Sequence, residues 1–589
     1  MEKAYMEKYN QWLNDPFIDD ETKAELKSIS DNETEIEERF YKELEFGTAG
    51  LRGIMGAGTN RMNKYIIAKA TQGLADYINT FFAILMKHRK EKEEEMCEES
   101  GHDCSKCGGC SEAVPSVAIA YDSRHNSVEF SDIAAAVLNA NGIRTYVFEG
   151  LRPTPELSFT VRHLGCVAGI NITSSHNPAE YNGYKVYWAD GAQISAPHDE
   201  NITVCINNVK NFTNLKLMEK QEAISKELYV PIGRVTDEAY MNIVSEQVRE
   251  PSLMKQMARD ITVAYTPLHG AGITIIPELL HRFGINNLYI VKEQEKPDGD
   301  FPTVEFPNPE MPTAFQLVDE LGRKVKADLI IATDPDSDRI GVHVRDEEGK
   351  YHELNGNVLG CLICEYELER RKAQGKIPTD GYVIRSIVSS RLFDRIAKAH
   401  GVEVREVLTG FKNIGAEMFK SEVTKDGTCI LAYEESYGYL VGDYARDKDA
   451  CVAALILCEM CAYYKYEDMT LWDAVCEMYE KYGFEEEKTV SITRKGINGL
   501  EEIAHIMTEM RTNPPRKIGG YEVKQMVDYE QPELTGMPKS NVLFFQLEGA
   551  WVCVRPSGTE PKIKYYFGVS GNPETVSEKI EKLQGDFIK

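Results

Sequence analysis

The sequence predicts an α/β chain of four domains: three similar mixed-sheet units followed by an α+β domain. Three observations carry this expectation. The 589 residues exceed what a single hydrophobic core organises. Apolar strand-like runs alternate with helix-like segments through the middle of the chain, as in βαβ units. The C-terminal stretch then abandons that alternation for closely spaced strands.

Taken in order, residues 117–124 (VAIAYDSR) read as a strand, 127–142 as a helix closed by Gly142, and 144–150 as the next strand. The rhythm returns at 261–272, 274–284 and 287–294, at the strand 327–334, and at 381–390, 390–401 and 402–410. After it come the strand KTVSITRK, a helix near 498–512, and the strands of NVLFFQLEGAWVCVRPSG and KIKYYFGVSG. Boundaries are expected at 1–222, 223–345, 346–477 and 478–589. A charged, then Gly- and Cys-rich segment at about 87–113 reads as a surface insertion in the first unit. Its Cys97, Cys104, Cys107 and Cys110, with His102 nearby, resemble a single metal knuckle. A charged loop with incidental thiols is the alternative.

Composition excludes several classes. The net charge of −27 argues against nucleic acid or an anionic membrane as partner. The charged N-terminus lacks the apolar core of a signal peptide, and the apolar run 451–464 is too short to span a bilayer and reads as a buried helix. A cytoplasmic location is expected, with the 14 cysteines mostly free thiols.

Four loops carry chemistry. In VAGINITSSHNPAEYNGYKVY (167–187) a strand ends in Ser174-Ser175-His176, at the sheet edge where ligands bind in open α/β folds. The turn at Asn182-Gly183 then delivers Lys185, a cation able to orient a phosphate or take a proton. No G-x-S-x-G elbow is present, which disfavours a hydrolase. In ADLIIATDPDSDRIGV (327–342), Asp334, Asp336 and Asp338 alternate along extended chain. Three such carboxylates repel one another unless a cation lies among them, and hard oxygens suit Mg²⁺. An EF-hand fails here because Arg339 and Arg345 occupy the positions of its Gly and Glu. In ILAYEESYGYLVGD (430–443), Glu434 and Ser436 offer the groups that grip vicinal sugar hydroxyls. In WVCVRPSGTEPKIKYY (551–566), Arg555, Ser557, Gly558 and Thr559 form a phosphate cradle. Together they ask for a phosphorylated sugar in a cleft between domains. Plain capping or acidic turns are the alternative for each loop taken alone.

These motifs, TSSHNP (173–178), DPDSDR (334–339), EES (434–436) and RPSGTEP (555–561), resemble in order the four loops of the α-D-phosphohexomutase family. FGTAGLRG (46–53), YDSR (121–124) and TPLHGAG (266–272) match as well, and TGFKNIG (409–415) is similar to the phosphoglucomutase-2/phosphopentomutase branch. The resemblance implies four domains around a central cleft and interconversion of glucose 1-phosphate and glucose 6-phosphate. Ser175 is then a phosphoserine, and Mg²⁺ is held by Asp334, Asp336, Asp338 and Ser175. Glucose 1,6-bisphosphate is the implied intermediate and activator. Lys185, with His176 as the other candidate, is the general base; Arg52 and Arg339 stabilise charge; Lys412 joins Glu434, Ser436 and the 555–559 loop in binding substrate. Small sugar phosphates are the implied partners, for a monomer or homodimer. The sugar loop departs from the commoner Gly-Glu-Met-Ser-Gly-His pattern, which leaves phosphopentomutase, phosphomannomutase and sugar-bisphosphate synthase readings open. A non-catalytic sugar-phosphate-binding regulator is the reading from another class. The cysteine insertion is outside the family pattern.

Overall fold

The computed structural model describes residues 3–47, 50–100, 114–494, 497–557 and 562–587. The first sheet has six strands in the order Gly50–Ile54, Tyr181–Trp188, Ala168–Ile172, Ser116–Tyr121, Arg144–Phe148, Tyr229–Ile232. The last four run parallel and the first two add antiparallel at one edge. Ala168–Ile172 and Ser116–Tyr121 are buried along their whole length, which is why they read as continuous apolar runs without alternation. The second sheet orders Tyr351–Leu354, Ile340–Arg345, Leu329–Thr333, Val263–Thr266, Leu288–Ile290, and the third Glu403–Val407, Gly381–Ser386, Thr428–Glu434, Gly438–Val441. Both are mixed. The fourth sheet is antiparallel throughout and carries helices Ile497–Thr512 and Pro573–Gly585.

The apolar run near 451–464 is the buried helix Ala450–Tyr466. It belongs in sequence to the third unit but packs on helices Pro251–Met257 and Ile276–Arg282 of the second, so the two share one core. Asp449 caps it, accepting from the Cys451 and Val452 N–H groups, and also accepts the Tyr240 and Tyr444 hydroxyls. Three N-terminal helices, Ala4–Asn14, Asp20–Ser28 and Glu33–Phe40, close an aromatic cluster of Tyr9, Trp12 and Phe40 with Tyr65 and Phe212.

Two expectations need correction. The strand Tyr229–Ile232 completes the first sheet, and Tyr351–Leu354 completes the second, so the divisions at 222 and 345 fall too early. Short edge strands carry weak apolar signals and are recognised only once paired. The charged segment from residue 87 is not a loop at its start: the helix Lys64–Ser100 runs through it. Cys97 falls on that helix, and Cys104, Cys107 and Cys110 with His102 lie outside the described residues. Among the described residues, no helix is long and apolar enough to cross a membrane.

Candidate active site

The serine loop leaves the C-terminal end of Ala168–Ile172, and the aspartate loop leaves the corresponding end of Leu329–Thr333. They meet. Ser175 Oγ donates to Asp334 Oδ2 at 2.7 Å across the two units. Ser175 has a left-handed backbone, φ 52°, held from several sides. Its N–H donates to Thr173 Oγ1 at 2.8 Å. The buried Arg124 guanidinium, paired with Asp122 at 3.3 Å, donates to the carbonyls of Ser175 (2.6 Å), Pro178 (2.7 Å) and Tyr181 (3.0 Å), and also to that of Asn177. Ser174 Oγ is buried with no hydrogen-bond partner in the serine loop.

Asp334, Asp336 and Asp338 are buried, and one oxygen of each falls in a group spanning no more than 4.8 Å. Asp336 Oδ2 receives Lys185 Nζ at 2.7 Å and Thr154 Oγ1 at 2.8 Å. Burial, with the charges of Asp336 and Asp338, pushes Asp334 well above the usual carboxylate range. Burial opposes ionisation of Asp336 too, but the Lys185 ammonium prevails and holds its carboxyl below that range. Among the described residues, Asp336 Oδ1 and Asp338 Oδ1 are buried without a hydrogen-bond partner. Unpartnered, hard carboxylate oxygens in this arrangement fit a divalent cation such as Mg²⁺.

Two lysines approach the cluster from opposite units. Lys185 comes from Tyr181–Trp188; its own burial lowers its pKa, but Asp336 and Asp338 raise it further. Lys448, which sequence reasoning missed, lies 3.1 Å from Asp338 Oδ2, 3.1 Å from Asp447 Oδ1 and 4.0 Å from Glu434 Oε1. It connects the aspartate loop to the sugar loop. The signal was Arg446-Asp447-Lys448-Asp449, four charged residues abutting an apolar helix and all buried. Arg124 and Thr154 were missed as site residues for a different reason, since their partners lie far away in sequence.

His176 lies half-buried with Nδ1 3.1 Å from Ser175 Oγ. Burial, then Arg339 and Arg52, press its pKa well below the usual imidazole value. Arg339 donates to Glu310 Oε1 at 2.5 Å. Arg52 sits opposite Gly183 in the edge strand Gly50–Ile54. Glu434 ends Thr428–Glu434, and burial pushes its carboxyl up to about 7, with Lys448 opposing. Ser436 is half-buried beside it, and the Tyr437 carbonyl accepts from the Ile340 N–H at 3.1 Å, tying the sugar loop to the aspartate loop. Lys412 stands apart, lining a cavity of about 740 Å³ with Trp188, Gln193 and His198. Gln193 joins that cavity to the site by donating to Asp447 Oδ2 at 2.9 Å. Arg555, next to last in the strand Ala550–Pro556, donates to Thr409 Oγ1, and the Ser557 N–H donates to the Lys562 carbonyl at 2.7 Å. Gly558 and Thr559 lie outside the described residues.

Three mixed α/β units that bring a serine, a carboxylate triad and a sugar-type loop together, with an arginine-bearing fourth domain, define a mutase that moves a phosphoryl group within a sugar phosphate. The chain belongs to the phosphoglucomutase/phosphomannomutase family, whose α/β/α domains I, II and III match residues 87–212, 238–349 and 355–482. It is 36% identical over 568 residues to a phosphoglucomutase of Staphylococcus haemolyticus, covering 94% of this chain and 96% of that one. It is 36% identical over 572 residues to a phosphoglucomutase of Staphylococcus aureus, covering 95% and 96%. In fold it is similar to the open form of the Paramecium phosphoprotein pp63/parafusin, a phosphoglucomutase, with a TM-score of 0.66 at 18% identity, covering 93% of this chain and 94% of that one. A phosphoglucomutase/phosphomannomutase family protein of Burkholderia thailandensis gives 0.62 at 17%, covering 92% and 97%.

Proposed function

We propose that the chain interconverts glucose 1-phosphate and glucose 6-phosphate and carries the transferred phosphoryl group on Ser175. The 2.7 Å approach of Ser175 Oγ to Asp334, at the edge of a buried triad, is the observation that carries this reading. The relatives named phosphoglucomutase support glucose as the sugar. Asp334, Asp336, Asp338 and Ser175 would hold Mg²⁺, which when bound neutralises charge on the transferring group.

The phosphate that is not transferred docks on Arg555 and Ser557, with Gly558 and Thr559 completing the loop. Glu434 and Ser436 take ring hydroxyls. The 6-hydroxyl oxygen of glucose 1-phosphate attacks the phosphorus of phosphoserine. The bond from phosphorus to Ser175 Oγ breaks, and the hydroxyl proton passes to a base. Glucose 1,6-bisphosphate then turns over, Ser175 Oγ takes the 1-phosphoryl group, and C1–OH remains on glucose 6-phosphate. His176 Nδ1, 3.1 Å from Ser175 Oγ, is placed for the proton on the serine. Lys185 is assigned the substrate hydroxyl. Its pairing with Asp336 opposes loss of its own proton, so it acts as a base only where Asp336 is otherwise engaged. Arg52 and Arg339 border the transfer, and closure of the cleft keeps water from the phosphoserine.

Mass spectrometry of the purified protein should find phosphate on Ser175, and Ser175→Ala should abolish turnover. Full activity in that variant refutes the carrier. A coupled assay across glucose, mannose, glucosamine and ribose phosphates tests the sugar, and a higher kcat/KM for ribose 1-phosphate would replace glucose by a pentose.

A further inference from the structure

The cavity of about 740 Å³ that Lys412 lines lies between the first and third units. Small-molecule sites favour such junctions and run to roughly 300–1,000 Å³. The end of Tyr181–Trp188, the loop after it and the start of helix His198–Asn208 form one wall. Helix Phe411–Thr424 of the third unit forms the other. Several contacts dock the two walls. Glu422 accepts from Arg162 of the first unit at 3.1 Å and from Arg446 of its own at 2.6 Å. The Arg446 N–H donates to Ser158 Oγ at 2.8 Å, and Asp447 Oδ2 accepts the Tyr187 hydroxyl at 2.8 Å as well as Gln193. A Cβ on Gly415 would stand 2.8 Å from that of Ala192. The cavity is thus built by the fold itself.

Part of its lining is aromatic. Trp188 stacks on His198 with ring centroids 4.3 Å apart, and Phe81 meets both edge-on at 5.3 and 5.6 Å. The His198 ring is fixed by the Tyr77 hydroxyl, 2.8 Å from its Nδ1. Leu85 and Phe419 line the cavity while remaining exposed. Such a surface accepts a planar ring. The polar part is unbalanced. Arg162 is paired with Glu422. Asp190 accepts the Ala192 N–H at 3.2 Å, and burial pushes its carboxyl up. Lys412 is half-buried and has no ion pair or side-chain hydrogen bond among the described residues. Burial presses its pKa below the ordinary lysine value, with Asp199 opposing. A partly desolvated ammonium without a counter-charge is stabilised by an anion taken from solution. A chain of net charge −27 holds such an anion only where a cation is left over.

We infer that this cavity is a second binding site, for a small organic anion carried on a planar ring. The ring lies against Trp188, His198 and Phe81, and the anionic group meets Lys412. The site is separate from the transfer site: Trp188 pairs with Ala168, at the end of the first sheet opposite the serine loop. The phosphate of a nucleoside monophosphate and the carboxylate of an aryl acid both supply this chemistry, and the site does not depend on the sugar that the transfer site takes.

The test is calorimetric titration of the full chain, held in saturating glucose 1-phosphate, with AMP and with indole-3-acetate. Adenosine and inorganic phosphate serve as the ring without the anion and the anion without the ring. At least one of the two ring anions should bind with Kd below about 1 mM, and which one does identifies the phosphate or the carboxylate as the preferred group. Adenosine and phosphate should each bind at least about tenfold more weakly. Lys412→Met should weaken the ring anion about tenfold, the loss expected for one charge-assisted contact. Ala416→Trp, from an exposed position on the third unit's wall, should fill the cavity and abolish binding while turnover of glucose 1-phosphate persists. Four results overturn the assignment: neither ring anion binding below about 1 mM, adenosine or phosphate binding as tightly, an unchanged Kd in Lys412→Met or Ala416→Trp, or displacement of the probe by glucose 1-phosphate. The last would place the probe in the transfer site.

Discussion

Gly183 is where the serine loop is most exposed to a small perturbation. It sits within Tyr181–Trp188, two residues before Lys185 and opposite Arg52. A Cβ there would stand 2.4 Å from the Thr173 carbonyl oxygen and 3.0 Å from that of Leu51, both backbone atoms. Ordinary contact begins at 3.4 Å, so in Gly183→Ala the Thr173 carbonyl must retreat by about 1 Å. Thr173 cannot move alone. Its Oγ1 accepts the Ser175 N–H at 2.8 Å and donates to Asp122 Oδ2 at 2.6 Å, so the shift passes to the left-handed Ser175 and its 2.7 Å contact with Asp334. A displacement of about 1 Å at a reacting atom costs roughly 100-fold in rate. The overpacking itself costs about 1–3 kcal/mol, a fall of a few degrees in Tm. The assay is kcat on glucose 1-phosphate in a coupled system, with Tm from calorimetry on the same sample. If Tm falls as expected while kcat stays within about threefold of wild type, the serine loop relaxes independently of Gly183 and the reasoning is wrong.

Lys448→Met leaves Asp338 and Asp447 without their shared cation and should lower kcat/KM by about 100-fold, with Lys448→Arg recovering stability more than rate; equal kinetics in Lys448→Met and wild type would remove Lys448 from the site. Chelation should abolish activity and added Mg²⁺ restore it, followed by the coupled assay; full activity after exhaustive chelation would refute the triad as a metal site. Glu459, buried in Ala450–Tyr466, has its carboxyl pushed up to about 8 by burial and by Glu367. The native state therefore keeps a proton that the unfolded chain loses above about pH 4.5, and stability falls as pH rises toward 8. Glu459→Gln, neutral throughout, should gain on wild type by up to about 1.4 kcal/mol per pH unit across that window, read as Tm between pH 5 and 8. A gap that does not widen with pH would show that Glu459 is ionised in the native state.

Much of this protein is legible along the chain. The βαβ rhythm gave three units because fully buried parallel strands must be continuous apolar runs, and residues 117–121, 168–172 and 329–333 are such runs. The aspartate triad is equally local, but a turn and not extended chain gathers its carboxylates: Ser337 is left-handed at φ 51° and its N–H donates to the Asp334 carbonyl at 2.9 Å. What sequence could not fix is which loops touch. The contact of Ser175 with Asp334, of Lys185 with Asp336, and of Arg124 with four carbonyls of the serine loop each spans dozens to more than a hundred residues. Lys448 gains its place in the site only from Asp338, a carboxylate supplied by another unit. Sheet edges were likewise undecided, because Tyr229–Ile232 and Tyr351–Leu354 are defined by their partners and not by their composition. Local periodicity determined the elements and the chemistry each loop carries. Packing between units decided the site, because a charge is read by what faces it, and that is a property of the folded chain.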